Sequence, residues 1–226
     1  MYSGAKLWMY YANIFGTMPP NGSAHLDSDS AIALAFGRNS IPDHDLPSVK
    51  KILDRQFPKS HLEMIKYLDA QGFDPGEPNY HIAQTILFYI ETWHKPVAAQ
   101  WELCIALFQM YGNHRLASVM NENRLVCLWP RTGMDRYSSL DVLNDAHAIF
   151  SKPSRQCSHP LLIAHDLHMP RVYMLAKRKW INPIVGFKNI TRSFDPKSVQ
   201  KMTTSPARWY WYEFRARAHH LIHGLV

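Results

Sequence analysis

Two residue types that handle anions and protons, His168 and Arg171, lie three positions apart at the start of a predicted helix. Pro170 suits the first turn of a helix, residues three apart share a helix face, and a helix N-terminus attracts anions. Arg171 could bind a phosphate or carboxylate through two hydrogen bonds, and His168 could transfer a proton. We therefore predict a catalytic pair here. The alternative is structural: His168 caps the helix, and Arg171 pairs with Asp145 or Asp166.

A second group of candidates follows two earlier apolar segments. Gly37 allows a ligand to approach the backbone closely, and Arg38 and Asn39 add polar groups directly after it. Glu102 could bind a ribose hydroxyl, coordinate a metal, or stabilise the N-terminus of its own helix. We predict Gly37, Arg38 and Asn39 as ligand-binding residues and Glu102 as a catalytic residue.

Three further polar residues, Ser139, Asp141 and His165, also follow apolar segments. We predict that they bind the same ligand, because the ends of such segments meet at one edge of a parallel sheet. For Asp141 there is an equal alternative. It would be an acidic first-turn residue in a helix that Ser138 or Ser139 caps.

Histidines cluster at two places, but neither has the spacing of a recognised zinc site. His165-Asp166-Leu167-His168 brings two imidazoles and a carboxylate together, and His219, His220 and His223 lie near the C-terminus. We predict no metal. No serine or cysteine has the context of a nucleophile, and apolar segments contain all three cysteines: Cys104, Cys127 and Cys157.

The elements that must position these residues are short apolar segments alternating with helical patterns. A continuous apolar run is typical of a strand buried on both faces. Alternation of such strands with helices predicts an α/β fold: a three-layer, Rossmann-like parallel sheet of about five strands with helices on both faces. Ligands bind at the carboxyl ends of the strands in such sheets. The predicted strands cover residues 31–36, 96–99, 125–129, 161–164 and 184–185.

Apolar residues at helical spacing place helices between these strands. We assign residues 1–30 to an N-terminal extension, 31–200 to the α/β domain and 201–226 to a C-terminal helix that packs on or beside it. Aromatic and basic residues interleave in this last helix, so it either packs an aromatic face on the sheet or contacts a membrane surface, a protein or nucleic acid. The predicted helices cover residues 46–57, 61–71, 82–90, 101–111, 138–150, 169–179 and 205–223.

The chain has 226 residues, 46% of them hydrophobic, and a formal net charge of +7. The basic residues are scattered and no recognition motif accompanies them, which argues against sequence-specific nucleic-acid binding. The charge suits an anionic small molecule or a membrane surface. Three cysteines form no disulfide framework, and no secretory or membrane-spanning segment is visible. We therefore expect a cytoplasmic protein, with peripheral contact to the inner membrane as an alternative.

The motifs carry a resemblance to the YdcF/SanA/ElyC family of bacterial proteins. In that family a strand ends in a Thr-Ser-like pair and His-Met-x-Arg begins the next helix, which His168-Met169-Pro170-Arg171 matches. Residues 139–146 resemble the motif before it, and residues 31–37 resemble its first strand and glycine turn. Gln100-Trp101-Glu102 lies where the family has a small residue and an acid. The resemblance covers residues 31–190.

The resemblance implies a Rossmann-like fold that binds a nucleotide-like or phosphate-bearing small molecule, S-adenosylmethionine or another nucleotide, and a role in envelope or cell-wall biogenesis. A transferase or hydrolase acting on such a substrate fits this implication. The chain departs from the family in its reduced glycine turn, Phe36-Gly37-Arg38-Asn39, and in Ala164-His165 in place of the Thr-Ser pair. These departures favour a second hypothesis: a non-catalytic module that binds a protein partner or a membrane surface through its C-terminal helix.

Overall fold

The computed structural model describes residues 27–39, 60–130, 137–155, 157–180, 183–185 and 190–222 of the chain. The helix predicted over residues 46–57 lies outside these residues. So does most of the predicted N-terminal extension.

Strands of the described chain form one all-parallel sheet. They are β1 (Ser30–Ala33), β2 (Val97–Gln100), β3 (Leu125–Leu128), β4 (Pro160–Ile163) and β5 (Ile184–Val185). Their order is β3-β2-β1-β4-β5, with Ile32 of the central β1 beside Ala98 of β2 and Leu162 of β4. Every residue of β1, β2 and β4 is buried, as strands covered by helices on both faces require. The predicted parallel α/β fold is confirmed.

Helices connect these strands, with some bounds that differ from the predicted ones. They are α1 (His61–Ala70), α2 (Glu77–Trp93), α3 (Trp101–Asn121), α4 (Ser139–Phe150), α5 (Met169–Ala176), a 3₁₀ turn (Lys201–Thr203) and α6 (Pro206–Ile222). The predicted end at residue 111 coincides with a real interruption of α3, but the helical stretch that follows it lies outside the prediction. Gly112 breaks the helix there with φ 77° and ψ 170°, but the chain resumes it because Leu116 and Val119 pack into the core.

The helices cover the two faces of the sheet and complete three layers. Successive strand residues face opposite sides: Ala31 and Ala33 pack with α1, α2 and α3, whereas Ile32 and Leu34 pack with α4 and α5. Trp209 of α6 packs in the same core as α1, α2 and α3. Within the described ranges, no helix combines the length and apolarity that crossing a bilayer requires.

One buried amide, that of Asn79, fixes the chain where it leaves the central strand. Asn79 is fully buried near the start of α2. Its Oδ1 accepts the Phe36 N–H (2.8 Å), and its Nδ2 donates to the carbonyls of Gly37 (2.8 Å) and Pro75 (2.6 Å). Backbone groups that have left the sheet would otherwise be buried without partners. The loop after β1 therefore depends on this side chain.

We expect Asn79→Ala to lower the free energy of unfolding by about 2–4 kcal/mol, because it leaves at least two buried backbone groups unpaired. Chemical denaturation measures the loss. Asn113→Ala, at an exposed asparagine in α3, is the matched control and should change stability by less than about 0.5 kcal/mol. Equal losses in the two variants would contradict this role for Asn79.

Candidate functional site

The central position of β1 places the loops after β1, β2, β3 and β4 along one carboxyl edge. The chain order reverses between β1 and β4, which is where open parallel sheets form their binding crevice. Most of the predicted site residues lie along this edge. They fall into separate groups whose chemistry differs.

The Arg38 cluster consists of Arg38, Trp101, Glu102 and Trp129, at the ends of β1, β2 and β3. The guanidinium carbon of Arg38 lies 5.6 Å from the centroid of the Trp101 ring, within the range of a cation–π contact. The rings of Trp101 and Trp129 stack with centroids 5.5 Å apart and an interplanar angle of 21°. A positive group and a pair of indoles are therefore held together.

Glu102 has an unusual environment for a carboxylate. It is 4% exposed, and its Oε2 has no hydrogen-bond partner among the described residues. Burial raises the pKa of Glu102 to about 7, although Arg38 and Gln100 oppose the shift. Burial also lowers the pKa of Arg38, against the effect of Glu102. Near neutral pH this carboxyl can thus both hold and release a proton.

Trp129 adds a second buried polar atom to the cluster. Its Nε1 has no hydrogen-bond partner within the described part of the chain. Buried polar groups are nearly always hydrogen-bonded in folded proteins. Oε2 of Glu102 and Nε1 of Trp129 therefore offer one acceptor and one donor that no described residue uses and that a ligand could bind.

The Arg171 cluster consists of Ser139, His168, Arg171 and Glu213. Nε of Arg171 lies 3.2 Å from Oε1 of Glu213, and both side chains are less than a tenth exposed. The guanidinium also contacts the rings of Trp209 (5.5 Å) and Tyr212 (5.1 Å). The predicted anion clamp thus already holds an internal carboxylate, supplied by α6.

His168 completes this cluster through its ring. Its Nε2 lies 3.0 Å from Nη2 of Arg171 and 2.9 Å from Oγ of Ser139. Because arginine can only donate, Nε2 accepts and the neutral ring carries its proton on Nδ1. The structure therefore brings the predicted residues Ser139, His168 and Arg171 together.

The alternative that Arg171 pairs with Asp145 or Asp166 is wrong, because both aspartates have other partners. Asp145 accepts a hydrogen bond from Tyr137 (2.8 Å), and Asp166 accepts the Ile190 N–H (3.0 Å) and pairs with Arg192 (3.3 Å). His168 occupies the N-cap position of α5 but makes no side-chain cap. Its side chain turns to Arg171 instead.

The Phe36 stack, made of Phe36, His165, Phe194 and Trp209, fills the edge between β1 and β4. Phe36 and His165 stack with centroids 3.6 Å apart, and Trp209 meets Phe36 edge-on at 4.6 Å. Burial lowers the pKa of His165 to about 4, so the ring is neutral near pH 7. Its Nε2 lies 3.0 Å from the Ser193 carbonyl, and its Nδ1 accepts the Leu167 N–H. Both ring nitrogens of His165 are thus engaged by the fold.

Gly37 and Asn39 take part in contacts between loops. Gly37 has φ 72°, and a Cβ there would lie 2.5 Å from Oγ1 of Thr203 and 2.9 Å from Oγ of Ser198. Nδ2 of Asn39 donates to carboxylates of Asp74 (2.7 Å) and Asp195 (2.9 Å). The glycine therefore accommodates the neighbouring turn, and Asn39 joins two loops.

Asp141 belongs to a capping box at the start of α4. Oγ of Ser138 accepts the Asp141 N–H (3.3 Å), and Oδ2 of Asp141 accepts the Ser138 N–H (2.9 Å). Ser138 rather than Ser139 is the cap. Such a box stabilises a helix N-terminus, which agrees with the structural alternative for Asp141.

Sequence reasoning missed Glu213 and Asn79, and it treated Trp129 only as the end of a strand. Glu213 did carry a signal, because it is the one acid in an otherwise basic and aromatic helix. Asn79 carried none, since the turn around it explained its residue type. Among the described residues, no group of three or more histidines, cysteines and carboxylates is arranged to hold a metal ion. The side chain of His220 and all of His223 lie outside those residues.

Comparisons of the chain with protein-family models, with curated proteins and with solved structures find no match. The resemblance to the YdcF/SanA/ElyC family therefore rests on the sequence motifs. Any function must be argued from the chemistry of the clusters themselves.

We expect Glu102→Gln to change how stability depends on pH. Folded Glu102 holds its proton up to a pKa of about 7, against a usual value of 4.5, so stability falls as pH rises through that interval. Glutamine removes this loss. The unfolding free energy of the variant should therefore rise relative to that of wild type by on the order of 3 kcal/mol between about pH 4 and about pH 8. Urea unfolding measures this change.

A matched control for this titration is Glu91→Gln, at a surface carboxylate that pairs with Arg115. Its unfolding free energy should stay within about 0.5 kcal/mol of wild type. A constant difference between Glu102→Gln and wild type across the pH range would show that folding leaves the pKa of Glu102 unchanged and would contradict the shift.

We expect Glu213→Ala to destabilise the fold by about 3–5 kcal/mol, because it leaves the Arg171 guanidinium buried without its carboxylate. Arg171→Met combined with Glu213→Leu should cost less than the sum of the single changes. A double-mutant cycle measures this coupling. The same cycle on the exposed Arg115–Glu91 pair is the control and should give less than about 1 kcal/mol. Equal coupling in both pairs would contradict the role of burial.

Proposed function

We propose that the protein binds a phosphate-bearing small molecule of the nucleotide type at the carboxyl edge of the sheet, in the Arg38 cluster. One observation carries this proposal. Within the described residues no carboxylate lies within 4 Å of the Arg38 guanidinium, whereas Glu213 already occupies Arg171. A guanidinium that contacts no carboxylate within the described part of the chain, beside the ends of three strands, is suited to an anion.

The neighbours of Arg38 define the rest of the ligand. Guanidinium groups bind phosphate through paired hydrogen bonds, and aromatic rings accept the face of a nucleobase. Trp129 is only partly buried, so its ring can serve as that platform. Oε2 of Glu102 and Nε1 of Trp129 offer one acceptor and one donor for the polar edge of a sugar or a base. These contacts fit a nucleotide better than inorganic phosphate alone.

A reaction at this site would use Glu102 for proton transfer, because its pKa of about 7 suits an acid or base at neutral pH. Cys127 nearby is a poor nucleophile, since burial raises the pKa of its thiol well above the usual value. Hydrolysis or transfer at a phosphate-containing group is the chemistry that fits. The YdcF/SanA/ElyC resemblance supports the same ligand class, S-adenosylmethionine included, and a role in envelope biogenesis.

The test is a thermal-shift panel of nucleoside mono-, di- and triphosphates, S-adenosylmethionine, a nucleotide sugar and inorganic phosphate. A ligand at about 100 times its Kd stabilises the folded chain by about 2.7 kcal/mol. For a chain of this size that stabilisation raises the Tm by roughly 5–10 °C. We expect at least one nucleotide to produce this shift with wild type and not with Arg38→Gln.

The matched control is Arg192→Gln, which removes an equal charge from an exposed arginine and should keep the shift. Retention of the shift in Arg38→Gln, with its loss in Arg171→Gln, would move the site to the Arg171 cluster and overturn the proposal. So would a panel without any stabilising ligand.

A further inference from the structure

The C-terminal helix α6 presents a second surface that none of the described elements covers. Its inner side is anchored, because Trp209 is 2% exposed and Glu213 pairs with Arg171. Its outer side carries large apolar side chains in water. The exposed fractions are 65% for Trp211, 48% for Phe214 and 78% for Ile222.

These residues form one continuous strip. At about 100° per residue, Trp211, Phe214 and Ile222 fall within roughly 80° of the helix circumference. The rings of Trp211 and Phe214 stack with centroids 6.1 Å apart and an interplanar angle of 19°. Arg208, Arg215 and His219, all exposed, border the strip on one side. We call these six residues the outward face of α6.

The charged side chains of the outward face are all basic. Glu213 is the one acid in α6, and it points inward to Arg171. The outward face therefore combines apolar rings with arginines and contains no carboxylate. This arrangement is typical of a helix that lies in a membrane interface, with its rings at headgroup depth and its cations against anionic headgroups.

We propose that the outward face of α6 docks the protein on the surface of an anionic lipid membrane. The positive flank disfavours a second copy of the same face, because two such flanks would repel each other. The net charge of +7 adds long-range attraction to an anionic surface. This inference does not depend on the proposed nucleotide site, since the outward face and the Arg38 cluster share no residue.

The test is co-sedimentation of the full chain with two kinds of vesicle: phosphatidylcholine alone, and phosphatidylcholine mixed with phosphatidylglycerol. We expect binding to the anionic vesicles and a decline in that binding as salt is added. Trp211→Ser with Phe214→Ser should lower the partition coefficient at least about tenfold, since it removes two apolar side chains from the buried area. Arg208→Gln with Arg215→Gln should weaken the preference for anionic lipid, while the remaining net positive charge keeps part of it.

The control is Phe88→Ser, which removes a 55% exposed aromatic ring from α2 and should bind vesicles as wild type does. Thermal unfolding of each variant checks that the exposed changes leave the fold intact. Three results would overturn the proposal: no binding to either vesicle, unchanged binding after the Trp211 and Phe214 changes, or concentration-dependent dimers in size-exclusion chromatography that those changes abolish. The last would assign the outward face to a second copy of the chain.

Discussion

The buried ion pair between Arg171 and Glu213 determines the arrangement of the whole carboxyl edge. Removing two charges from water is costly unless each is closely paired, and here two aromatic rings of α6 also contact the guanidinium. The pair fixes the rotation of α6 about its own axis. Trp209 is thereby directed into the Phe36 stack, and the opposite side of the helix is left in water. Changing the pair would alter both the crevice and the outward face of α6.

Because α6 fills the crevice between β1 and β4, the polar chemistry of the edge is displaced toward β2 and β3. In open parallel sheets the reversal point is the usual place for a ligand. Here Phe36, His165 and Trp209 occupy it with stacked rings, and both nitrogens of His165 are engaged. At the ends of β2 and β3, Oε2 of Glu102 and Nε1 of Trp129 are buried without a hydrogen-bond partner among the described residues. That offset explains why the proposed ligand site centres on Arg38 rather than on the histidine and arginine of the strongest sequence motif.

The sheet could be predicted from sequence because its strands are short apolar runs with no alternation, a pattern that follows directly from burial on both faces. The candidate residues were also placed at the correct edge, since that position depends only on where each strand ends. Their partners could not be predicted. Arg171 and Glu213 are distant in sequence and meet only through the packing of α6. Local pattern likewise cannot show that a Cβ at Gly37 would collide with Thr203. The break in α3 shows the same limit, because Gly112 marked the interruption but not the resumption of the helix.

The central strand has a consequence for how the chain reaches its folded state. β1 is formed early in the sequence, yet one of its two neighbours, β4, follows α1 to α4 along the chain. Contacts between segments so far apart carry a large entropic cost of loop closure and slow the folding of a domain. During synthesis, the edge of β1 that pairs with β4 stays unpaired until most of the chain has left the ribosome. In that interval the apolar residues of β1 form an open strand edge, the kind of surface on which nascent chains aggregate or recruit chaperones.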